Sequence, residues 1–211
     1  MPGGLAVLPG PGSGRLKQVR TFLAIETTDA VKRLILSTLG SFRGTHTDSA
    51  VRWVSVENIH LTLAFLGETP PDRIPALSSL LSEVAFQTTS FPIRVGGIGA
   101  FPNVGKPRVI WLGVTEAAGA LTALHARLWD GLRALGWVPE EKPFRAHLTL
   151  GRVRREAAPS DIERLEGALQ IPRPAEETMT ADSIAAFQSD LNRQGPLYTR
   201  LGAAGFRKGA A

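Results

Sequence analysis

Two short stretches carry the residues best able to do chemistry. His60-Leu61-Thr62-Leu63 and His147-Leu148-Thr149-Leu150 are the same tetrapeptide, 87 positions apart (147 − 60), in a chain of 211 residues with only four histidines. Alternate side chains of a β-strand project to one face, so each copy presents His and Thr together and hides its leucines. An unperturbed imidazole titrates near 6.5, so of two facing one substrate, one can be the neutral base and the other the cationic acid. Such proton transfers contribute about 10²- to 10⁴-fold in rate. Threonine hydroxyls can donate hydrogen bonds to the non-bridging oxygens of a phosphoryl centre. A lone His-x-Thr on a strand is more often a hydrogen-bonded, half-buried histidine than a catalyst. The repetition, which uses half of the histidines, points instead to two halves of one site.

A 2′,3′-cyclic phosphate suits this apparatus. One water must be activated on one side of phosphorus while a ribose oxygen leaves on the other, and no metal is needed.

The elements that must position these residues can be read from periodicity. "VRTFLAIET" is a strand, and "TDAVKRLILSTLGSF" a helix capped by Thr28-Asp29 and closed at Gly40. "VRWVSV" and "IHLTLAFLG" read as strands joined by a hairpin turn at Glu57-Asn58. A helix follows over 74–86, then strands in "FPIRVGGIGAF" and "PRVIWLGVTE". Leu121, Leu124, Leu128, Leu132 and Leu135 mark a third helix ended by Gly136. "FRAHLTLGRV" is a strand and "SDIERLEGALQ" a helix, and "MTADSIAAFQSDL" with "GPLYTRL" reads as a final strand pair. Intermixed helices and adjacent strands predict an α+β fold. Each copy of the tetrapeptide is preceded and followed by a helix, so we expect two pseudo-symmetric lobes, each an antiparallel sheet flanked by helices. They join near 100–107, with the active-site cleft between them. No Pro/Gly-rich linker divides the chain. Residues 1–18 read as a disordered leader, and 19–206 as one bilobal domain.

Cysteine is absent, which excludes disulfides, zinc-thiolate sites and thiol nucleophiles. The net charge of +5 tilts the odds toward a polyanionic partner. No run approaches the roughly 18 apolar residues of a membrane span, and the leader lacks a signal-peptide core, so we expect a cytoplasmic, monomeric protein. No carboxylate accompanies either repeated histidine at ligand spacing, which argues against a metallohydrolase. His46, in a polar loop, and His125, on the leucine-rich helix, read as structural or solvent-exposed.

The chain resembles the 2H phosphoesterases, and among them the RNA 2′,3′-cyclic phosphodiesterases, also called 2′-5′ RNA ligases. The resemblance rests on the two "HLTL" units together with "RTFLAIE", "HLTLAFLG", "RVIWLGV", "KPFRAHLTLGR" and "SDLNRQGPLYTRL", and spans residues 19 to about 201. Lys142 and Ala146 depart from an arginine and a proline common in that family; both His-x-Thr units are intact. The resemblance implies hydrolysis of RNA-terminal 2′,3′-cyclic phosphate to a 2′-phosphomonoester without metal or cofactor. It also implies ATP-independent 2′-5′ joining by some members. It would make His60 the proton donor to the leaving 3′-oxygen and His147 the acceptor that activates water, with Thr62 and Thr149 on the phosphoryl oxygens. The symmetry of the two motifs cannot fix that order of acid and base. Another cyclic phosphate or a 2′-5′ oligonucleotide as substrate, or an RNA-binding module without turnover, are the rival readings.

Around this core we expect Arg145, Arg152 and Tyr198 to touch substrate. Arg145 shares the face of His147, whereas Arg152 falls on the opposite face by count, so that only a bulge or strand twist would bring it round. The same count places Phe65 and Phe144 on the leucine side, as core residues. Tyr198, the only tyrosine, suits core packing or a pocket wall. "RVRRE" at 152–156 is a small basic cluster whose default reading is a solvated strand end.

Overall fold

The computed structural model describes residues 18–43, 47–116, 118–139, 143–171, 175–192 and 195–209. The expected leader, apart from Gln18, and the positions of His46 and Lys142 lie outside them.

Among the described residues there are nine strands and four helices, one strand more than the apolar periodicity predicts. In chain order they are β1 (Val19–Glu26), α1 (Asp29–Arg43), β2 (Val51–Trp53), β3 (His60–Thr69), α2 (Ile74–Phe86), β4 (Phe91–Phe101) and β5 (Val109–Thr115). Then come α3 (Ala120–Ala134), β6 (His147–Val153), α4 (Pro159–Gln170), β7 (Glu176–Ala181), β8 (Ser183–Asn192) and β9 (Gly195–Gly205). The helix ends follow capping chemistry. The Thr28 hydroxyl meets the Val31 N–H at the start of α1. Gly136, at φ 86°, turns the chain after α3. Gly40 does not close α1, which runs on to Arg43; a glycine inside a helix costs about 1 kcal/mol but does not end it.

The strands join in one antiparallel sheet of order β7-β4-β5-β6-β3-β1-β8-β9, with β2 also beside β6. Read outward from the middle, this is two four-stranded halves, β6-β5-β4-β7 and β3-β1-β8-β9, whose inner strands are the two copies of the tetrapeptide. The halves are not consecutive in sequence. The stretch expected to be one strand before "GPLYTRL" breaks at Asp182, sending β7 to β4 and β8 to β1.

The expected hairpin at Glu57-Asn58 does not form. Val56–Asn58 is a 3-10 turn, entered through extended Ser55, and carries the chain onward instead of back. β2 and β3 therefore both run antiparallel to β6, end to end along its edge.

One face of the sheet carries the main core. Leu61, Leu63, Leu148 and Leu150 are all buried in one cluster with Leu77 and Leu81 of α2 and Leu124 and Leu128 of α3. Burying each leucine is worth roughly 1.5–3 kcal/mol. This holds the inner strands in a single rotation, with their polar residues turned the other way.

Candidate active site

The two tetrapeptides touch at one point. Leu61 pairs with Leu148, the only described residue pair bridging β3 and β6. In an antiparallel pair the sum of partner numbers is constant (61 + 148 = 60 + 149 = 62 + 147), so His60 lies alongside Thr149 and Thr62 alongside His147. Both strands have the same burial sequence: half-buried His, buried Leu, half-buried Thr, buried Leu. All four polar side chains thus share the open face of the sheet, around a pseudo-twofold axis.

The ring nitrogens are matched as well. His60 Nδ1 lies 2.8 Å from the Asn58 carbonyl oxygen, and His147 Nδ1 lies 2.6 Å from the Arg145 carbonyl oxygen. A carbonyl only accepts, so each Nδ1 carries a proton and donates it. Each Nε2 is left as the nitrogen that can take up or release a proton.

Their surroundings differ. Phe22 stacks on the His60 ring at 4.6 Å, Tyr198 meets it edge-on at 5.4 Å, and Phe187 lies at 6.3 Å. With Ala24 and Ala185 the two phenylalanines form a small buried cluster on the cleft face. Desolvation in this box lowers the His60 pKa from 6.5 to about 4, against the opposing pull of the Asn58 carbonyl. His147, by contrast, meets the edge of Phe101, at 4.9 Å.

Each inner strand contains a bulge at the same place. In the pairing with β1, Leu63 is skipped between Thr62 and Ala64; in the pairing with β5, Leu150 is skipped between Thr149 and Gly151. A bulge inserts one residue and reverses the alternation after it. Phe65 and Arg152, each five residues after its histidine, thereby come round to the cleft face. This corrects the expected core position of Phe65, which is 56% exposed. It also brings in Arg152, which acts on the Tyr198 hydroxyl: burial raises the Tyr198 pKa and Arg152 opposes it.

Other expected residues fall as follows. Arg145 is exposed on the His147 side, its guanidinium 5.9 Å from the Phe101 ring centre. Tyr198 is a cleft wall. Phe144 packs against the core and stacks on His125 at 4.0 Å, and the His125 Nε2 accepts a hydrogen bond from Trp129 Nε1 at 3.1 Å, so His125 is structural. Sequence reading missed Phe22 and Phe187, which carry no motif and reach His60 only through strand pairing. Trp111 was missed too. It sits across from Thr149, its indole lies over Gly99, and its buried Nε1 has no hydrogen-bond partner among the described residues.

The seam between the halves is filled on one side only. Beyond Leu148 toward the end of β6, β2 takes up the free edge. On the other side the strands diverge and leave a cavity of about 610 Å³, mouthed by Thr62, His147, Phe65 and Phe101 and reaching His125 and Trp129 of α3. Among the described residues no three His, Asp or Glu side chains gather as metal ligands would, and no helix is long and apolar enough to cross a membrane.

Residues 28–193 match the 2′-5′ RNA ligase superfamily. An RNA 2′,3′-cyclic phosphodiesterase of Archaeoglobus fulgidus is 37% identical over 184 residues, 87% of this chain and 98% of that protein. One of Thermotoga maritima is 35% identical over 185 residues, 87% of this chain and 93% of its own. A crystal structure of a Thermus thermophilus protein superposes with a TM-score of 0.72 at 28% identity, covering 90% of this chain and 98% of that one.

Proposed function

Because the chain belongs to the 2′-5′ RNA ligase superfamily, we propose that it is an RNA 2′,3′-cyclic phosphodiesterase that works by paired histidine acid–base catalysis. The observation that carries this reading is the Leu61–Leu148 bridge, which sets two His-Thr pairs about one point, with each Nδ1 committed to a carbonyl and each Nε2 left for substrate.

In the forward reaction His147 Nε2 takes a proton from water as its oxygen bonds to phosphorus. The bond from phosphorus to the 3′-oxygen breaks in line, and His60 Nε2–H protonates the departing oxygen. The product is a 2′-phosphomonoester. Thr62 and Thr149 donate to the two non-bridging oxygens as charge grows on them. Burial keeps His60 neutral near pH 7, so it takes up its proton from solvent as the substrate binds: an anionic phosphate facing Nε2 favours the imidazolium that burial disfavours. Tyr198 flanks the phosphate on the His60 side and Arg145 on the His147 side, and Arg152 lies farther along the cleft beyond Thr149. Phe65 offers a face on which the terminal base can stack. With an RNA 5′-hydroxyl in place of water, the same steps make a 2′-5′ linkage.

The test uses a short RNA ending in 2′,3′-cyclic phosphate, in EDTA, with the parent, His60→Ala and His147→Ala. We expect the parent to yield 2′-phosphate ends and each variant to lose about 10²- to 10⁴-fold in rate. A bell-shaped pH profile is kinetically the same whichever histidine is the acid, so a diester with a good leaving group decides the roles. It should rescue His60→Ala and leave His147→Ala slow. Activity that needs added metal, or survives both substitutions, overturns the mechanism.

A further inference from the structure

Arginines on the strands of this sheet are matched with carboxylates. Arg20 on β1 faces Glu68 on β3 at 3.8 Å, Arg94 on β4 reaches Glu176 on β7 at 3.6 Å, and Arg200 on β9 reaches Glu26 on β1 at 3.1 Å. Arg52 on β2 is set differently. Its direct cross-strand partner on β6 is Arg152. Directly opposed side chains share a face with Cβ atoms about 4.5–5.5 Å apart, and like charges so placed destabilise the sheet. No ion pair joins either arginine to a carboxylate among the described residues. The nearby Asp48 carboxylate accepts instead from Trp53 Nε1, at 2.8 Å.

Val51 and Trp53, on either side of Arg52, turn inward over Gly151: a Cβ there would lie 2.7 Å from Val51 Cγ1 and 2.8 Å from Trp53 Cε3. Arg52 therefore projects to the opposite face, the cleft face, beside Arg152. This places two unneutralised guanidinium groups on the filled side of the seam, past Thr149 and away from the cavity. Arg152 is three residues beyond Thr149, at most about 10 Å along the strand, within reach of a phosphate next to the reacting one. A repulsive pair retained at a cleft becomes favourable when an anion lies between its members.

We propose that Arg52, with Arg152, seats the phosphodiester that precedes the terminal cyclic phosphate, so that the protein selects RNA ends over mononucleoside cyclic phosphates. This rests on the phosphodiesterase reading and adds to it a specificity-determining residue. The terminal base lies on the cavity side, and the chain leaves over β2.

The experiment compares kcat/KM for a short RNA ending in 2′,3′-cyclic phosphate with that for a nucleoside 2′,3′-cyclic phosphate, which has no second phosphate. Arg52→Gln should lower the ratio about tenfold, one charge-assisted contact, and Arg52→Lys should restore part of it. Arg33→Gln, the same charge loss on α1, should leave the ratio alone. For RNA ending in a 2′-phosphate, the slope of log Kd against log salt should be shallower by about one in Arg52→Gln. Without ligand Arg52→Gln should melt at the same or a higher temperature than the parent, because the repulsion is gone, and inorganic phosphate should stabilise the parent more. An unchanged ratio, or a lower melting temperature for Arg52→Gln without ligand, overturns the proposal. If the parent turns over neither substrate, the phosphodiesterase reading fails; the salt slope and phosphate stabilisation then still decide whether the pair binds an anion.

Discussion

An imidazole can exchange a proton only through the nitrogen that its neighbours leave free. Here two backbone carbonyls, each two residues before its histidine, make that choice identically. The pairing of His with Thr on one face could be read from the sequence, because strand alternation alone joins them and separates both from leucine; the carbonyl contacts came only with the structure. The difference between the histidines could not. It comes from Phe22, Phe187 and Tyr198, which three other strands bring to His60. That aromatic box has a thermodynamic cost on the acid side. Folded His60 takes a proton only near pH 4, and the unfolded chain near 6.5. Between those values the unfolded state holds more protons, so stability is complete above about 6.5 and falls as pH drops toward 4, by at most about 3 kcal/mol. Urea unfolding at pH 7 and pH 4.5 should therefore show a larger loss for the parent than for His60→Gln. Equal losses would mean that His60 is not shielded.

At the scale of elements, the paired bulges at Leu63 and Leu150 decide which side chains accompany the two His-Thr pairs. Counting along an ideal pleat puts Phe65 and Arg152 on the wrong face, and nothing in "HLTLAF" or "HLTLGR" announces the extra residue. Bulges are visible only in the register of the neighbouring strand. β2 is just as hard to foresee: three residues that seemed half of a hairpin instead prop β6 from outside. Gly151 allows that contact, since Val51 and Trp53 occupy the space a side chain would need. Gly151→Ala should push β2 away and cost about 1–3 kcal/mol by overpacking, read as a lower urea midpoint with an unchanged slope. A midpoint within error of the parent's would show that β2 adapts without strain.

Over the whole molecule, sequence reading found the two-fold plan but assigned β4, β8 and β9 to the wrong halves. Repetition of "HLTL" shows that halves exist; it does not show that β8 and β9, last in the chain, complete the half that β1 begins. Long-range pairing overrode the order of the chain. A fragment of residues 18–103 would lack β8 and β9 and leave Phe22 and Ala24 uncovered, so it should show no cooperative unfolding by circular dichroism. A cooperative transition would prove the first half autonomous. Besides the unlike surroundings of the two histidines, the symmetry is broken at the seam: β2 occupies one flank, and the cavity the other. The cyclic phosphate ring is nearly two-fold as well, since exchanging its 2′- and 3′-oxygens leaves its outline almost unchanged. Two histidines and two threonines related by a half-turn would accept it either way up, and each orientation would expel a different ribose oxygen. In the proposed mechanism the two His-Thr pairs would therefore have no regiochemical preference of their own. On that reading, whether the phosphate stays on the 2′- or the 3′-position would depend on three residues of edge strand and the gap facing them.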